Sequence, residues 1–452
     1  MSEFRHAEYI NVMLWGKRVG VVAPVPNRKA YAFSYDPKWI DGGIEVAPML
    51  MPLSPRTYTF HTDESTWHGL PPFVADALPD EFGNRLIDAW MAQRGVRKEQ
   101  ITPLDRLAYL ANRGMGALEF TPSANAPRPR NPSIIEVSKI VETARANIAG
   151  NLLDTESEAA IRQLVQVGTS AGGQRAKAVV AFNEKTGKIQ SGQIPAHDGF
   201  EQWLLKLDGV TPDPKGGEAV AGQSSGYGRV EYAYHLMAKA CGLDMMPCRL
   251  IEENGRAHFM TRRFDREDGG HIKHHVSTLC AMERLDYRQI STHDYSQLFL
   301  AGEALTLPGA QMDEMFRRMV FNVLSMNNDD HTKNFAFLLR DGMEAWELAP
   351  AYDLTFSYRE DSQWVSQHLM SVNGKFKDIA ESDMLSVAER HHIPDPEKII
   401  AQVRDGVARW SEFSEKAGVP KDLDSTSIDG LGIATRAMDA KADVRKGRNY
   451  GG

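Results

Sequence analysis

Asn327-Asn328-Asp329-Asp330-His331-Thr332-Lys333-Asn334, followed downstream by Ala349-Pro350-Ala351-Tyr352-Asp353, carries the most chemistry in the chain. It holds an acid, an amide five residues on, and a second acid beyond an apolar segment. That segment, FAFLLRDGMEAWEL from Phe335 to Leu348, reads as strand, Asp341-Gly342 turn, strand. A hairpin brings the chain back to where it left. Asp353 is therefore expected near Asn334. Asp329 and Asn334 stand at the Asp-to-Asn interval of the protein-kinase catalytic loop. In that role Asp329 takes or orients the proton of an acceptor hydroxyl. Asn334 and Asp353 offer oxygens to magnesium, a hard cation, and His331 contacts phosphate. Asp330 lies four from Asn334 and fits the interval less well, yet it stays a candidate. A surface acidic turn, a calcium loop and the ligands of a metal nuclease are the competing readings. No EF-hand register is present, which counts against calcium.

Upstream, residues 164–182 read LVQVGTSAGGQRAKAVVAF. Apolar runs flank the glycines, so Gly168, Gly172 and Gly173 fall in a turn between strands, where backbone N–H groups can approach phosphate closely. No Gly-Lys-[Ser/Thr] opens a helix, so this is not a Walker A loop. An ordinary Gly-rich hairpin is the plain alternative. Ser170 sits inside the loop, as phosphoacceptor or as a local turn former. Lys177 follows it. Trp203-Leu204-Leu205-Lys206-Leu207 reads as a buried strand carrying one lysine, and lysine is seldom buried without a partner. Residues 229–242, RVEYAYHLMAKACG, form an amphipathic helix with Val230, Tyr234, Met237 and Cys241 on its apolar stripe and Gly242 as its cap. Glu231 borders that stripe and is the expected partner of Lys206. Complementing the helix dipole is its alternative role. Glycine loop, strand lysine, helix glutamate, Asp/Asn pair and final Asp follow the order of a kinase.

The chain of 452 residues is too long for one core. A net charge of −8 gives no basic footprint for tight, non-specific nucleic-acid binding. Three cysteines, Cys241, Cys248 and Cys280, lack the paired spacing of a disulfide framework or zinc ribbon. No signal-peptide core or membrane-spanning run is seen, so the expected address is cytoplasmic, with no membrane contact. Residues 9–35 predict a strand meander with a turn at Gly16-Lys17. Helices are expected from Asp80 and over Pro103–Leu110. PSANAPRPRNPS at 122–133 is a Pro-rich connection, followed by a helix ending at Gly150. Strands dominate to about Phe264 and helices to about 420. The expected boundaries are residues 1–130, a β-containing lobe over 131–262, a helical lobe over 263–440, and a tail over 441–452.

These motifs together resemble the HipA family of bacterial serine/threonine kinases, toxins of type II toxin–antitoxin pairs. The matching pieces are SAGGQRAK at 170–177, WLLKL around Lys206, VEYAYHLMAKACGL at 230–243, RRFDR at 262–266, NNDDHTKNF at 327–335 and APAYDLT at 349–355. GLPPFVADALPDEFGNRL at 69–86 resembles the family's N-terminal subdomain. The resemblance implies an α+β, bilobed protein-kinase-like fold related to phosphoinositide kinases, with a β-rich N-terminal subdomain and a mainly helical C-lobe. It implies ATP and Mg2+ as cofactors, with Gly172, Gly173, Lys177, Lys206, Arg262, Phe264, His331, Asn334, Tyr352 and Asp353 at the nucleotide, Arg262 to Phe264 lying at the adenine hinge. It places an inhibitory autophosphorylation site on Ser170. The implied partners are a small HipB-like helix-turn-helix antitoxin, operator DNA mainly through that antitoxin, and an aminoacyl-tRNA synthetase as protein substrate, best known in the family as glutamyl-tRNA synthetase. Asp330 stands where glycine is frequent, and Arg262 where a glutamate can precede R-F-D-R. Two rival functions remain: a small-molecule or lipid kinase on the same scaffold, and a catalytically silent co-repressor.

Overall fold

The computed structural model describes residues 4–60, 66–79, 81–124, 136–148, 176–196, 199–210 and 226–423. Its contacts divide the chain into two units. One holds Met1–Ser225, Ile251–Arg284 and Phe337–Trp346; the other holds Gly226–Leu250, Leu285–Ala336 and Glu347–Gly452.

The first unit contains one five-stranded sheet and most of a second. The N-terminal sheet is built from β1 (Ile10–Leu14), β2 (Lys17–Pro24), β3 (Tyr31–Tyr35), β4 (Tyr58–Thr59) and β5 (Leu118–Thr121), in the order β4-β3-β2-β1-β5. Ile10, Val12 and Leu14 are fully buried while Asn11 and Met13 between them are not, the period-2 signature of a half-buried strand. The meander is as expected, but its first turn sits one residue earlier. Leu14 pairs with Lys17, and the positive φ values fall on Trp15 and Gly16. A two-residue loop needs that left-handed geometry at both central positions.

The second sheet contains β6 (Lys177–Phe182), β7 (Ile189–Ser191), β8 (Glu201–Lys206), β9 (Cys248–Glu253) and β10 (Arg256–Arg262), in the order β7-β6-β8-β10-β9. Ala178, Val180, Phe182, Trp203, Leu205 and Met260 form one core with Val137, Ile140, Val141 and Ala144 of the helix Val137–Ile148. Leu86, Ile87, Trp90 and Met91 of the helix Glu81–Ala92 complete it. Neighbouring residues on a strand face opposite ways. Lys177, Lys206 and Phe259 therefore lie on the face turned away from this core. The Pro-rich stretch 122–133 falls largely outside the described residues.

The second unit is mainly helical: Tyr227–Ala240, Tyr295–Ala304, Gly309–Leu324, Glu381–Arg390, Pro396–Val407 and Trp410–Ala417. The stripe read from sequence, Val230, Tyr234, Met237 and Cys241, is at most 2% exposed. Tyr234 packs on Trp410 at 5.4 Å and on Phe321 at 6.1 Å between ring centroids. Gly242 ends the first of these helices at φ +83°, with its N–H and that of Leu243 donating to the carbonyls of Lys239 and Ala238. The Asp341-Gly342 hairpin, most of which belongs to the first unit, is present between strands Ala336–Leu339 and Trp346–Leu348, with Gly342 at φ +78°. Among the described residues no helix is long and apolar enough to cross a membrane.

Candidate active site

In the second unit, the helix Gly309–Leu324 ends at Ser325, and the chain turns through Met326 at φ +56° into Asn327–Asp330. Asn327 bridges to Ser357, and the Asn328 N–H donates to the Ser357 carbonyl at 3.3 Å. A single 3-10 turn, Thr332–Asn334, follows. Its Asn334 Nδ2 donates to the Asp329 carbonyl at 2.7 Å. That bond fixes the amide plane and turns Asn334 Oδ1 away from the Asp329 carbonyl.

The two adjacent acids differ completely. Asp330 is fully buried. Its Oδ2 accepts from Tyr295 OH and from His368 Nδ1, each at 2.8 Å, and its Oδ1 accepts from the Leu369 N–H at 2.8 Å. Asn322 Nδ2 supports Tyr295 OH from behind at 2.9 Å, and Asn327 Nδ2 supports Asn322 Oδ1 at the same distance. Both oxygens of Asp330 are thus occupied. Asp329 keeps 39% of its side-chain surface open. Its Oδ1 accepts from Trp364 Nε1 at 2.7 Å, and His331 Nε2 lies 3.8 Å from the same oxygen. Desolvation pushes the Asp329 carboxyl above its usual range. The nearby charges of Asp353 and Asp330 push the same way, against His331 and the Trp364 N–H. The charge of Asp353 is thus felt at Asp329.

Asp353 itself adopts φ +54°. The residues before it are pinned: Ala351 N–H donates to the Asp244 carbonyl at 2.8 Å, Arg318 Nη1 to that of Ala349 at 2.8 Å, and Tyr352 OH to that of Lys333 at 2.7 Å. His331 lies beside two aromatic rings, 5.2 Å from Tyr287 and 6.2 Å from Trp364 between centroids. Among the described residues no group of three or more His, Cys, Asp or Glu is placed to hold a metal ion. The residues that could hold a cation here are Asn334, through Oδ1, and Asp353, through its carboxylate; both offer hard oxygens of the kind magnesium takes alongside waters or substrate oxygens.

In the first unit, Lys177 and Lys206 stand directly opposite one another on paired strands, with Phe259 on the other side of Lys206. Both lysines are buried, at 4% and 9% exposure, and Lys206 Nζ lies 5.6 Å from the Phe259 ring centre. A solvent-facing edge lysine is excluded by that central position. Opposed side chains on such strands have Cβ atoms about 4.5–5.5 Å apart, and like charges there repel. Glu231 is buried at 1% exposure on its helix in the second unit. Arg262 ends β10 and pairs with Glu201 at 2.9 Å, while Phe264 is half-buried.

The rest of the R-F-D-R motif has another task. Asp265 is fully buried and accepts from Arg263, Arg266 and the Gly116 N–H at 2.7 to 2.9 Å. Burial alone would raise this carboxyl, but the two guanidinium groups hold it well below its usual range. The same arginines reach the Gly114 carbonyl, so the motif clasps the loop that leads into β5. Ser170, Gly172 and Gly173 lie outside the described residues. Trp364, Tyr287, Tyr295 and His368 escaped the sequence reading because no motif marks them. They reach the loop from far along the chain.

Comparison with known proteins gives the wider setting. Residues 10–121 match the family model of the HipA N-terminal domain, and residues 169–411 that of the HipA-like C-terminal domain. Over 422 residues the chain is 23% identical to "Putative kinase Y4mE" of Sinorhizobium fredii, covering 90% of this chain and 86% of that protein. Over 251 residues it is 24% identical to "Putative kinase Y4dM" of the same organism, covering 50% and 55%. The solved structure of Shewanella oneidensis MR-1 HipA, in complex with HipB and its operator DNA, superposes with a TM-score of 0.64 at 16% identity, covering 95% of this chain and 96% of that one. The fold is the protein-kinase-like one of that structure.

Proposed function

The chain belongs to the HipA family, and on that premise we propose that it is an ATP-dependent serine/threonine protein kinase, the toxin of a type II toxin–antitoxin pair. The observation that carries this reading is the state of Asp329: an open carboxylate, raised by burial and by Asp353, with Asn334 tied to its own carbonyl. Asp329 orients the acceptor hydroxyl and takes its proton. The hydroxyl oxygen bonds the γ-phosphorus, the γ-phosphorus–bridging-oxygen bond breaks, and ADP leaves with that electron pair. A raised carboxyl is a stronger base than an ordinary surface aspartate, which favours this proton transfer. Asn334 and Asp353 hold Mg2+, which when bound neutralises phosphate charge.

Lys177 and Lys206, buried opposite one another on paired strands, are the proposed contacts to the phosphates. His331 and Tyr352 border the nucleotide, and Arg262 and Phe264 take its adenine side. Gly172 and Gly173 are the proposed phosphate-binding glycines, and Ser170 is the proposed inhibitory autophosphorylation site. A HipB-like helix-turn-helix antitoxin is the proposed partner and the main contact to operator DNA; the solved HipA, HipB and operator complex supports this. An aminoacyl-tRNA synthetase, glutamyl-tRNA synthetase in the first instance, is the proposed protein substrate in the cytoplasm.

Incubation with labelled ATP and magnesium, wild type beside Asp329→Ala, tests the reading. Label is expected on Ser170 and on one cellular protein with the wild type, falling about 10²- to 10⁴-fold in the variant. Equal labelling would remove Asp329 as the base. No labelling and no ATP binding in either, starting from unphosphorylated protein, would overturn the kinase assignment.

A further inference from the structure

We propose that Trp364 is a positioning residue for phosphoryl transfer: its indole N–H holds Oδ1 of Asp329 so that Oδ2 is presented to the acceptor hydroxyl. The inference rests on the kinase reading above. A carboxylate turns easily about its last bond, because that torsion has broad minima. One short, charge-assisted donor at Oδ1 fixes its plane. The Trp364 N–H supplies that donor at 2.7 Å, and Asn334 Nδ2 donates to the backbone carbonyl of the same residue.

The indole is itself held. The N–H groups of Trp364 and Val365 donate to Ser362 Oγ at 3.1 and 3.2 Å, forming a local turn. Asn328 Nδ2 donates to the Val365 carbonyl at 3.2 Å. Three residues further on, His368 Nδ1 and the Leu369 N–H both bind Asp330. The segment carrying Trp364 is therefore fastened to both neighbours of Asp329, through Asn328 and through Asp330. Its ring also lies 6.2 Å from His331, which shares the Asp329 side chain. This gives the two adjacent acids separate tasks. Asp329 meets the acceptor, and Asp330 anchors the segment that aims it. Preorganisation of this kind acts on the chemical step and leaves nucleotide binding alone.

The test compares wild type, Trp364→Phe and Trp364→His in MgATP, following labelled phosphate released to water and transferred to the chain itself. Phenylalanine keeps an aromatic ring and loses the N–H; the Nε2 of histidine falls close to the position of the indole nitrogen. Expected is a fall in kcat of about tenfold for the phenylalanine variant, with KM for ATP within about twofold, and partial recovery with histidine. An activity-independent readout accompanies it. Among the indole N–H resonances of the eight tryptophans, the one lost in Trp364→Phe is expected to move in Asp329→Asn. Unchanged or increased kcat in Trp364→Phe overturns the inference, and so does an indole resonance indifferent to Asp329→Asn. Wild type without any transfer overturns the kinase reading, and this inference with it; transfer by the wild type with a silent Trp364 overturns this inference alone.

Discussion

Asp329 and Asp330 are neighbours whose environments set them opposite tasks. Asp330 has no exposed surface and three donors on its two oxygens. Asp329 has one side-chain donor and an open face. Removing the Asp330 carboxylate leaves Tyr295, His368 and the Leu369 N–H buried without their acceptor. Asp330→Ala is therefore expected to cost about 3–5 kcal/mol of stability, and Asp330→Asn less, because an amide still accepts one of those bonds. Urea unfolding checks this; an alanine variant as stable as wild type would show the network to be dispensable. At this scale the sequence supplied the pair of acids and an interval that favours Asp329. It carried no sign of which oxygens would be satisfied. That depends on Tyr295 and His368, which lie 35 and 38 residues away from Asp330 along the chain.

Among the elements, the helix Tyr227–Ala240 was the most legible. Its apolar stripe repeats at helical spacing and is buried as a stripe. Gly242 was readable for the same reason, since a left-handed cap after a helix favours a residue without a side chain. A Cβ placed there would also meet Gln402 Nε2 at 3.0 Å. Gly242→Ala is thus expected to lower stability by about 1 kcal/mol, measured as a shift of the denaturant midpoint. The Asp341-Gly342 hairpin was legible through its turn dipeptide. The turn after β1 falls one residue earlier than its dipeptide suggests, because Gly16 signals a left-handed position without saying which neighbour shares it. The burial of the lysine strand is legible in its apolar run, but its register is not. Only strand pairing sets Lys177 opposite Lys206, and pairing between distant strands is fixed by packing.

For the whole molecule, the proposed nucleotide site makes stability depend on ligand. A ligand at a hundred times its dissociation constant adds about 2.7 kcal/mol if it binds the folded chain alone. MgATP is expected to raise the thermal midpoint of the wild type, EDTA to cancel most of the rise, and Lys206→Met to abolish it, all readable by differential scanning fluorimetry. A wild-type midpoint indifferent to MgATP would count against the site. The division into units was the least legible feature, since Ile251–Arg284 and Phe337–Trp346 join residues of the first unit far from them in sequence. Residue types, their intervals and the periodicities that make strands, helices and turns are all written in the linear order of the chain. These are local properties, set by backbone geometry and by which face of an element is apolar, and with the family motifs they carried the fold class and the candidate residues. Tertiary structure alone decided that Asp330 is an anchor, that Trp364 reaches Asp329, and that Arg263, Asp265 and Arg266 clasp a loop near Gly114. Each of these contacts joins polar groups whose partner is chosen by burial: once water is excluded, a donor or acceptor must find its complement wherever packing has placed it.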